Sequence, residues 1–259
     1  MQLLFRNSPD YKDEIEIARK YFLVSTNRSY IINDVPTIAR YCAQPFYSEL
    51  VDTLSIFNSK PINDLSHVEY INSMAWATDL GERTPRTWFE GEFAAIPEVP
   101  TIAKGRVRSI RERWKTDMYC GPEKKDRAQL YSRLLDNDYL REQGIVFREY
   151  VPLKNDGVAF TGMPIANEWR LFFYRKQLID YGYYWVSYEE KSNDQLPMEA
   201  LLFAQQCAMI VGDKANFYTM DIAEKENGGW TLIELNEGQQ SGLCGINADS
   251  FYKNLRNIL

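Results

Sequence analysis

Apolar and polar residues alternate most clearly in TLIELN, Thr231 to Asn236. In a strand, residues two apart point to the same side, so Glu234 and Asn236 face one way and Ile233 and Leu235 the other. Just before it, NFYTMDIAEKENGGW predicts a strand ending at Asp221 and a hairpin turned at Asn227-Gly228-Gly229. EWRLFFYRKQLIDYGYYW predicts another hairpin, two aromatic-rich runs around Arg175, Lys176 and Gln177. Between them, Leu196 to Val211 has the pattern of a helix over the sheet. Upstream, MQLLF predicts a short strand closed by Asn7, Ser8 and Pro9. Asp10 to Tyr21 and its flank place Tyr11, Ile15, Ala18 and Phe22 at helical spacing, and FLVS predicts a second strand. In PTIARYCAQPFYSELVDTLSIF, a break at Pro45 precedes the helical positions Leu50, Leu54 and Phe57. Asn63 or Asp64 is placed to cap a helix running through Ala77. This alternation predicts a small α/β unit up to about Glu90.

GEFAAIPEVPTIAK, with its prolines and glycine, marks a domain boundary. Next comes the most basic stretch, Lys104 to Lys115, with Arg106, Arg108, Arg111 and Arg113 against Glu112 alone. Asp126 to Glu142 reads as a charged amphipathic helix and GIVFREYVPL as a strand. The Tyr181, Tyr183, Tyr184 and Trp185 run reads as core and sheet surface.

Composition narrows the chemistry. The 259 residues are 45% hydrophobic, enough for one large domain or two small ones with ample core. A net charge of −6 argues against a broad nucleic-acid footprint. Cys42, Cys120, Cys207 and Cys244 form no C-x-x-C pair and read as reduced thiols of a cytoplasmic protein. A single histidine, His67, excludes a His-rich zinc site. The start, MQLLFRNSPDYKDE, is charged early and predicts no signal peptide. The longest uncharged run, Ala200 to Gly212, falls short of the roughly 20 residues that span a bilayer, so no membrane partner is expected.

Asp221, Glu234 and Asn236 are hard oxygen donors of the kind Mg2+ takes, and antiparallel pairing brings them to one face. Two carboxylates that close repel unless a cation lies between them. A magnesium site of few side chains completes its shell with substrate phosphates, and the basic stretch from Lys104 supplies phosphate ligands.

In this order the motifs resemble the ATP-grasp superfamily, in particular a poorly characterised clade of small ATP-grasp proteins. RYCAQPFY, PINDLSHVEYI and TPRTW also look like this clade, so the resemblance covers nearly the whole chain. It implies an α+β chain: an ATP-grasp fold of two α+β lobes preceded by an N-terminal α/β pre-ATP-grasp domain. The expected boundaries are 1–92 for the N-terminal domain and 93–259 for the ATP-grasp domain, its small lobe about 93–150 and its large lobe about 151–259. The resemblance puts Lys104 of TIAKGRVRS on the phosphates, with Arg108 or Lys115 as the second basic position. It puts Glu149, Tyr150 and Val151 of VFREYVP at the adenine hinge. In NEWRLFF it marks Glu168 and Arg170, either a mutual ion pair or a contact from Arg170 to the transferred phosphoryl group. Asp221, Glu234 and Asn236 are the implied Mg2+ ligands, and GQQSG, residues 238–242, the implied lining of an acceptor pocket. The glycine-rich loop of many relatives is poorly matched, only Gly105, Gly121 and DMYCGPEK being available.

The implied activity is that of an ATP-dependent carboxylate–amine ligase using ATP and Mg2+. The substrate would be a small molecule, amino acid or peptide. Two other classes stand beside it. A covalent nucleotidyltransferase would use Lys104, but the expected K-x-D-G is absent, Lys104 being followed by Gly105, Arg106 and Val107. A non-catalytic ATP- or peptide-binding module would bind without turnover.

Overall fold

The computed structural model describes residues 1–186 and 195–259. It begins with β1 (Gln2–Phe5), α1 (Lys12–Ala18), β2 (Leu23–Ser25) and β3 (Thr37–Arg40). The three strands form a parallel sheet in the order β2-β1-β3. Strand β3 gives no alternating signal because all of Thr37, Ile38, Ala39 and Arg40 are buried. A parallel strand covered on both faces has no solvent side to mark it.

Helix α2 (Tyr47–Ile56) sends Leu50 and Leu54 into a core with Leu4, Ala39, Tyr41 and Val68. Helix α3 (Leu65–Asn72) starts at Asp64, whose Oδ1 accepts from the His67 amide at 2.9 Å. The Asp64 amide donates in return to His67 Nδ1 at 3.2 Å. This is a capping box, and the only histidine of the sequence closes it. The helix expected through Ala77 is interrupted: Met74 adopts φ 62°, and α4 (Ala75–Leu80) starts anew.

The next elements are β4 (Thr87–Trp88), β5 (Thr101–Gly105), β6 (Tyr119–Cys120), α5 (Lys124–Leu135), α6 (Asp138–Gln143) and β7 (Ile145–Glu149). The helix expected over 126–142 is thus two helices. Asn137 separates them, because its side chain accepts from the Leu140 amide and caps α6. The strands form an antiparallel sheet in the order β4-β7-β5-β6. One face packs Trp88, Ala103 and Phe147 on Leu130, Leu134 and Leu140 of the two helices.

Then come β8 (Asn155–Val158), β9 (Pro164–Ala166), β10 (Glu168–Tyr174), β11 (Gln177–Tyr183), α7 (Met198–Val211), β12 (Phe217–Glu224), β13 (Trp230–Glu237) and α8 (Ala248–Ile258). The four strands of the largest antiparallel group lie in the order β11-β10-β12-β13. Both long hairpins turn where the pattern puts them, at Arg175 with φ 52° and at Gly228 and Gly229 with φ 89° and 73°. Helix α8 is capped by Asn247 and buries Phe251, Tyr252 and Leu255.

The chain divides into two compact units. The first comprises Met1–Ile71, Trp169–Asp221 and Glu234–Leu259. Its core joins Leu3, Phe5 and Ile38 to Phe172, Phe217 and Phe251. The second comprises Asn72–Glu168 and Ile222–Ile233, so residues 72–92 cluster with the stretch expected as the small lobe. Among the described residues no helix is long and apolar enough to cross a membrane.

Candidate functional site

The first unit gathers four of the expected side chains. The Gly238 amide donates to Phe217 O at 3.0 Å at the open end of the β12–β13 hairpin. Counting inwards from that pair sets Thr219 opposite Asn236 and Asp221 opposite Glu234, on one face of the sheet. Asn236 Nδ2 lies 3.0 Å from Glu234 Oε2, which accepts its proton. Arg170 of β10 meets Asp221 in a fork: Nε donates to Oδ1 and Nη2 to Oδ2, both at 2.8 Å. Asp221 is fully buried and Arg170 is 7% exposed. Burial opposes the Arg170 charge, but the Asp221 carboxylate beside it outweighs burial and holds its pKa well above the ordinary arginine value. The partner expected for Arg170 within its own strand was Glu168. The carboxylate that takes it is Asp221, because neighbouring strands offer an in-plane fork that residues two apart on one strand do not.

The loop after β13 lies over this face. Gly242 O accepts from Arg170 Nη1 at 3.1 Å, and Cys244 Sγ lies 3.5 Å from the same nitrogen. The loop comes this close because Gly182, the cross-strand neighbour of Arg170, has no side chain. A Cβ there would stand 2.6 Å from Gly245 C. The Tyr184 ring lies 4.8 Å from the Arg170 guanidinium carbon. Ser241 Oγ shares a hydrogen bond of 3.1 Å with Thr219 Oγ1.

Arg40 holds the same loop from the parallel sheet, a role the sequence did not disclose. Its Nη1 donates to Gly238 O at 2.7 Å, Ser241 O at 3.0 Å and, more weakly, Gln239 O at 3.3 Å. Its Nη2 pairs with Glu14 at 2.8 Å. Burial opposes this charge too, and Glu14 outweighs burial, so the Arg40 pKa is raised. The Ala39 amide donates to Gln239 Oε1 at 2.9 Å. The signal was one basic residue at the end of an otherwise apolar run, TIAR. Glu237, one residue past Asn236, is also buried and accepts from Asn63 Nδ2 at 2.6 Å. Burial pushes its carboxyl up to about 7, against the lowering effect of that bond.

The second unit holds the other expected residues. Lys104 is buried on β5 opposite Val146. It shares a sheet face with Ile102 and Arg148, away from the helices. Arg148 is held by Thr84 Oγ1 at 2.7 Å, Thr87 Oγ1 at 3.2 Å and the Ile233 carbonyl. After β5 the chain folds tightly on α6. A Cβ on Gly105 would lie 2.8 Å from Gln143 Oε1, which accepts from the Val107 and Arg108 amides. The Arg108 guanidinium lies over Tyr139, 5.7 Å from the ring centroid. Lys115 lies over Gly162, where a Cβ would come within 2.4 Å of its Cε.

At the expected hinge, the Glu149 amide donates to Arg86 O at 2.8 Å and the Tyr150 amide to Pro100 O at 2.9 Å. Among the described residues the Val151 amide is given to no backbone carbonyl. Glu149 and Val151 border a cavity of about 530 Å³ with Glu82, Arg86 and Lys225. Its acids and bases balance and its lining includes neither Lys104, Arg108 nor Lys115, so its chemistry does not call for a polyphosphate. Among the described residues no group of three His, Cys, Asp or Glu side chains could hold a metal. The candidate ligand set has two carboxylates and takes its third oxygen from Asn236.

Residues 64–255 match the model of an ATP-grasp domain family, the third family of its clade. No match is found among curated proteins. Of solved structures, a RimK domain ATP-grasp protein from Sphaerobacter thermophilus DSM 20745 aligns with a TM-score of 0.63 at 14% identity, covering 98% of this chain and 99% of that one. D-cycloserine synthetase DcsG aligns with a TM-score of 0.63 at 12% identity, covering 99% of both chains. Macrocyclase MdnC from Microcystis aeruginosa MRC, bound with the precursor peptide MdnA, aligns with a TM-score of 0.56 at 11% identity, covering 100% of both. At these identities the structures establish a shared fold.

Proposed function

From a chain that belongs to this ATP-grasp domain family, we propose a ligase that activates a carboxylate with ATP and Mg2+ and passes it to an amine or another nucleophile. The carboxylate attacks the γ-phosphorus, the bond to the β,γ-bridging oxygen breaks, and ADP leaves. The nucleophile then adds to the acyl carbon and inorganic phosphate departs.

The observation that carries this reading is the cluster of Arg170, Asp221, Glu234 and Asn236 on one sheet face. Glu234, Asn236 and Asp221 supply hard oxygens of the type Mg2+ binds. Asp221 keeps lone pairs beyond those taken by Arg170, since an ionised carboxylate offers about four acceptor sites. When bound, Mg2+ would neutralise charge on the β- and γ-phosphates. Arg170 is fixed by Asp221 and Gly242, and one Nη2 proton remains to meet the transferred phosphoryl group. Lys104, with Arg108 or Lys115, would hold phosphate oxygens. The Val151 amide, with the backbone of Glu149 and Tyr150, would read adenine, and Glu168 would border the nucleotide. Residues 1–92 would form the pre-ATP-grasp domain, with 93–150 the small lobe and 151–259 the large one.

Among the similar structures, two ligases hold a bound precursor peptide and one is a D-cycloserine synthetase, which supports an amino acid or peptide as substrate. A cytoplasmic location goes with the reduced thiols. The test is ADP release over a panel of amino acids and peptides with Mg-ATP. Acid-dependent release that also needs a nucleophile supports the reading. ATP binding with no release across the panel would overturn it.

A further inference from the structure

Strands β1, β2 and β3 are parallel, so their carboxyl ends lie along one edge. The chain leaves the central β1 for β2 on one side and returns as β3 on the other. Such a reversal opens a crevice at the carboxyl edge, the usual ligand position in open parallel sheets. A crevice of about 200 Å³ lies there, lined by Arg6, Asn7, Thr26, Arg28 and Tyr41 among others. It has room for a carboxylate or a phosphate, since a water occupies only about 30 Å³ of liquid.

Tyr41 organises both arginines. The Arg6 guanidinium carbon lies 5.1 Å from the Tyr41 ring centroid, and Arg6 Nη2 donates to Cys42 O at 3.0 Å. Arg28 Nη2 donates to Tyr41 Oη at 3.1 Å, and its Nη1 reaches Thr53 Oγ1 at 3.4 Å. Neither arginine forms an ion pair among the described residues. In a chain of net charge −6, two like charges set around one ring without an acid leave a place for an anion. Guanidinium forks match carboxylate and phosphate geometry.

We propose that this crevice binds an anionic group of the substrate, a carboxylate or phosphate other than the carboxylate that is activated. The word substrate rests on the ligase reading; the anion site does not. The crevice connects to the candidate site through short contacts. Arg6 donates to Cys42 O, and Cys42 Sγ donates to Gln240 Oε1 at 3.0 Å. Two residues on, Gly242 O accepts from Arg170. The substrate class is therefore an acid carrying a second anionic group.

The experiment titrates inorganic phosphate and succinate into the full chain without nucleotide, for the natural sequence and for Arg6→Gln/Arg28→Gln. At least one probe binds saturably, and the double variant weakens it by about tenfold or more, the loss from removing a charge-assisted contact. Tyr41→Phe keeps the ring, removes the Arg28 anchor and weakens the same probe by a smaller factor. Binding of phosphate alone assigns a phosphate; binding of succinate alone assigns a second carboxylate. In turnover, the double variant raises KM for doubly anionic substrates and leaves KM for Mg-ATP unchanged. Failure of both probes to bind, or equal binding by the double variant, overturns the proposal. Probe binding that persists while the panel yields no ADP overturns the ligase reading and keeps the anion site.

Discussion

The acidic face of the first unit and the basic stretch of the second carry opposite charges in different ways. Arg170, Asp221, Glu234 and Asn236 all sit on strands, and Arg170 and Asp221 are locked in a buried fork. Beyond Lys104 the basic residues leave β5 for turns, where Arg108 rests on Tyr139 and Lys115 lies over Gly162. The first arrangement fixes atoms to within a few tenths of an ångström, as in-line transfer and metal coordination demand. The second places charge on adaptable side chains, which suffices for phosphate oxygens reached by point charges.

The largest effect is expected at Asp221. Asp221→Asn leaves a buried guanidinium without its counter-charge, so stability falls by about 3–5 kcal/mol in denaturant unfolding and ADP release is lost. A loss below about 1 kcal/mol would show that the acidic face is not rigid in the sense described. Glu234→Gln comes next. It keeps size and removes charge, so acid-dependent ADP release drops by about 10²–10³-fold while the unfolding midpoint holds. Near-normal turnover in this variant would remove Glu234 from the mechanism.

Glu237 sharpens the same side through pH. Its folded pKa is raised by burial from 4.5 to about 7. A group raised on folding contributes stability below its unfolded pKa and loses it as pH climbs through the folded one. Between about pH 4.5 and 7 the natural chain should lose on the order of 2–3 kcal/mol relative to Glu237→Gln. Parallel stability–pH curves for the two proteins would contradict this. The smallest effect tests the basic side. Either Arg108→Ala or Lys115→Ala raises KM for Mg-ATP by about tenfold, the other staying near unity, since one charge-assisted contact is at stake. Equal, negligible changes in both would leave Lys104 without a basic companion in that stretch.

What the sequence displayed and what it hid follow from the range of the interactions. The β12–β13 hairpin was legible because Gly228-Gly229 and the alternation through Glu234 and Asn236 are local. The match of Asp221 to Arg170 was not, because a fork between β10 and β12 depends on pairing across 51 positions. The broken helices at Met74 and Asn137 were read through, since a single capping side chain or one left-handed residue outweighs a continuing apolar stripe. Strand β3 was hidden by its own burial, and with it Arg40.

Arg40 also bears on where this protein can be cut. The family match begins at residue 64, which invites expression of a fragment starting there. Such a fragment would lose the guanidinium that collects the carbonyls of Gly238, Gln239 and Ser241, and the Ala39 amide that steadies Gln239. It would also bare Phe172, Phe217 and Phe251, which pack on Leu3, Phe5 and Ile38. The residues ahead of position 64 therefore act as a mould for the loop beyond the E-x-N strand, and a homology boundary here is not a folding boundary.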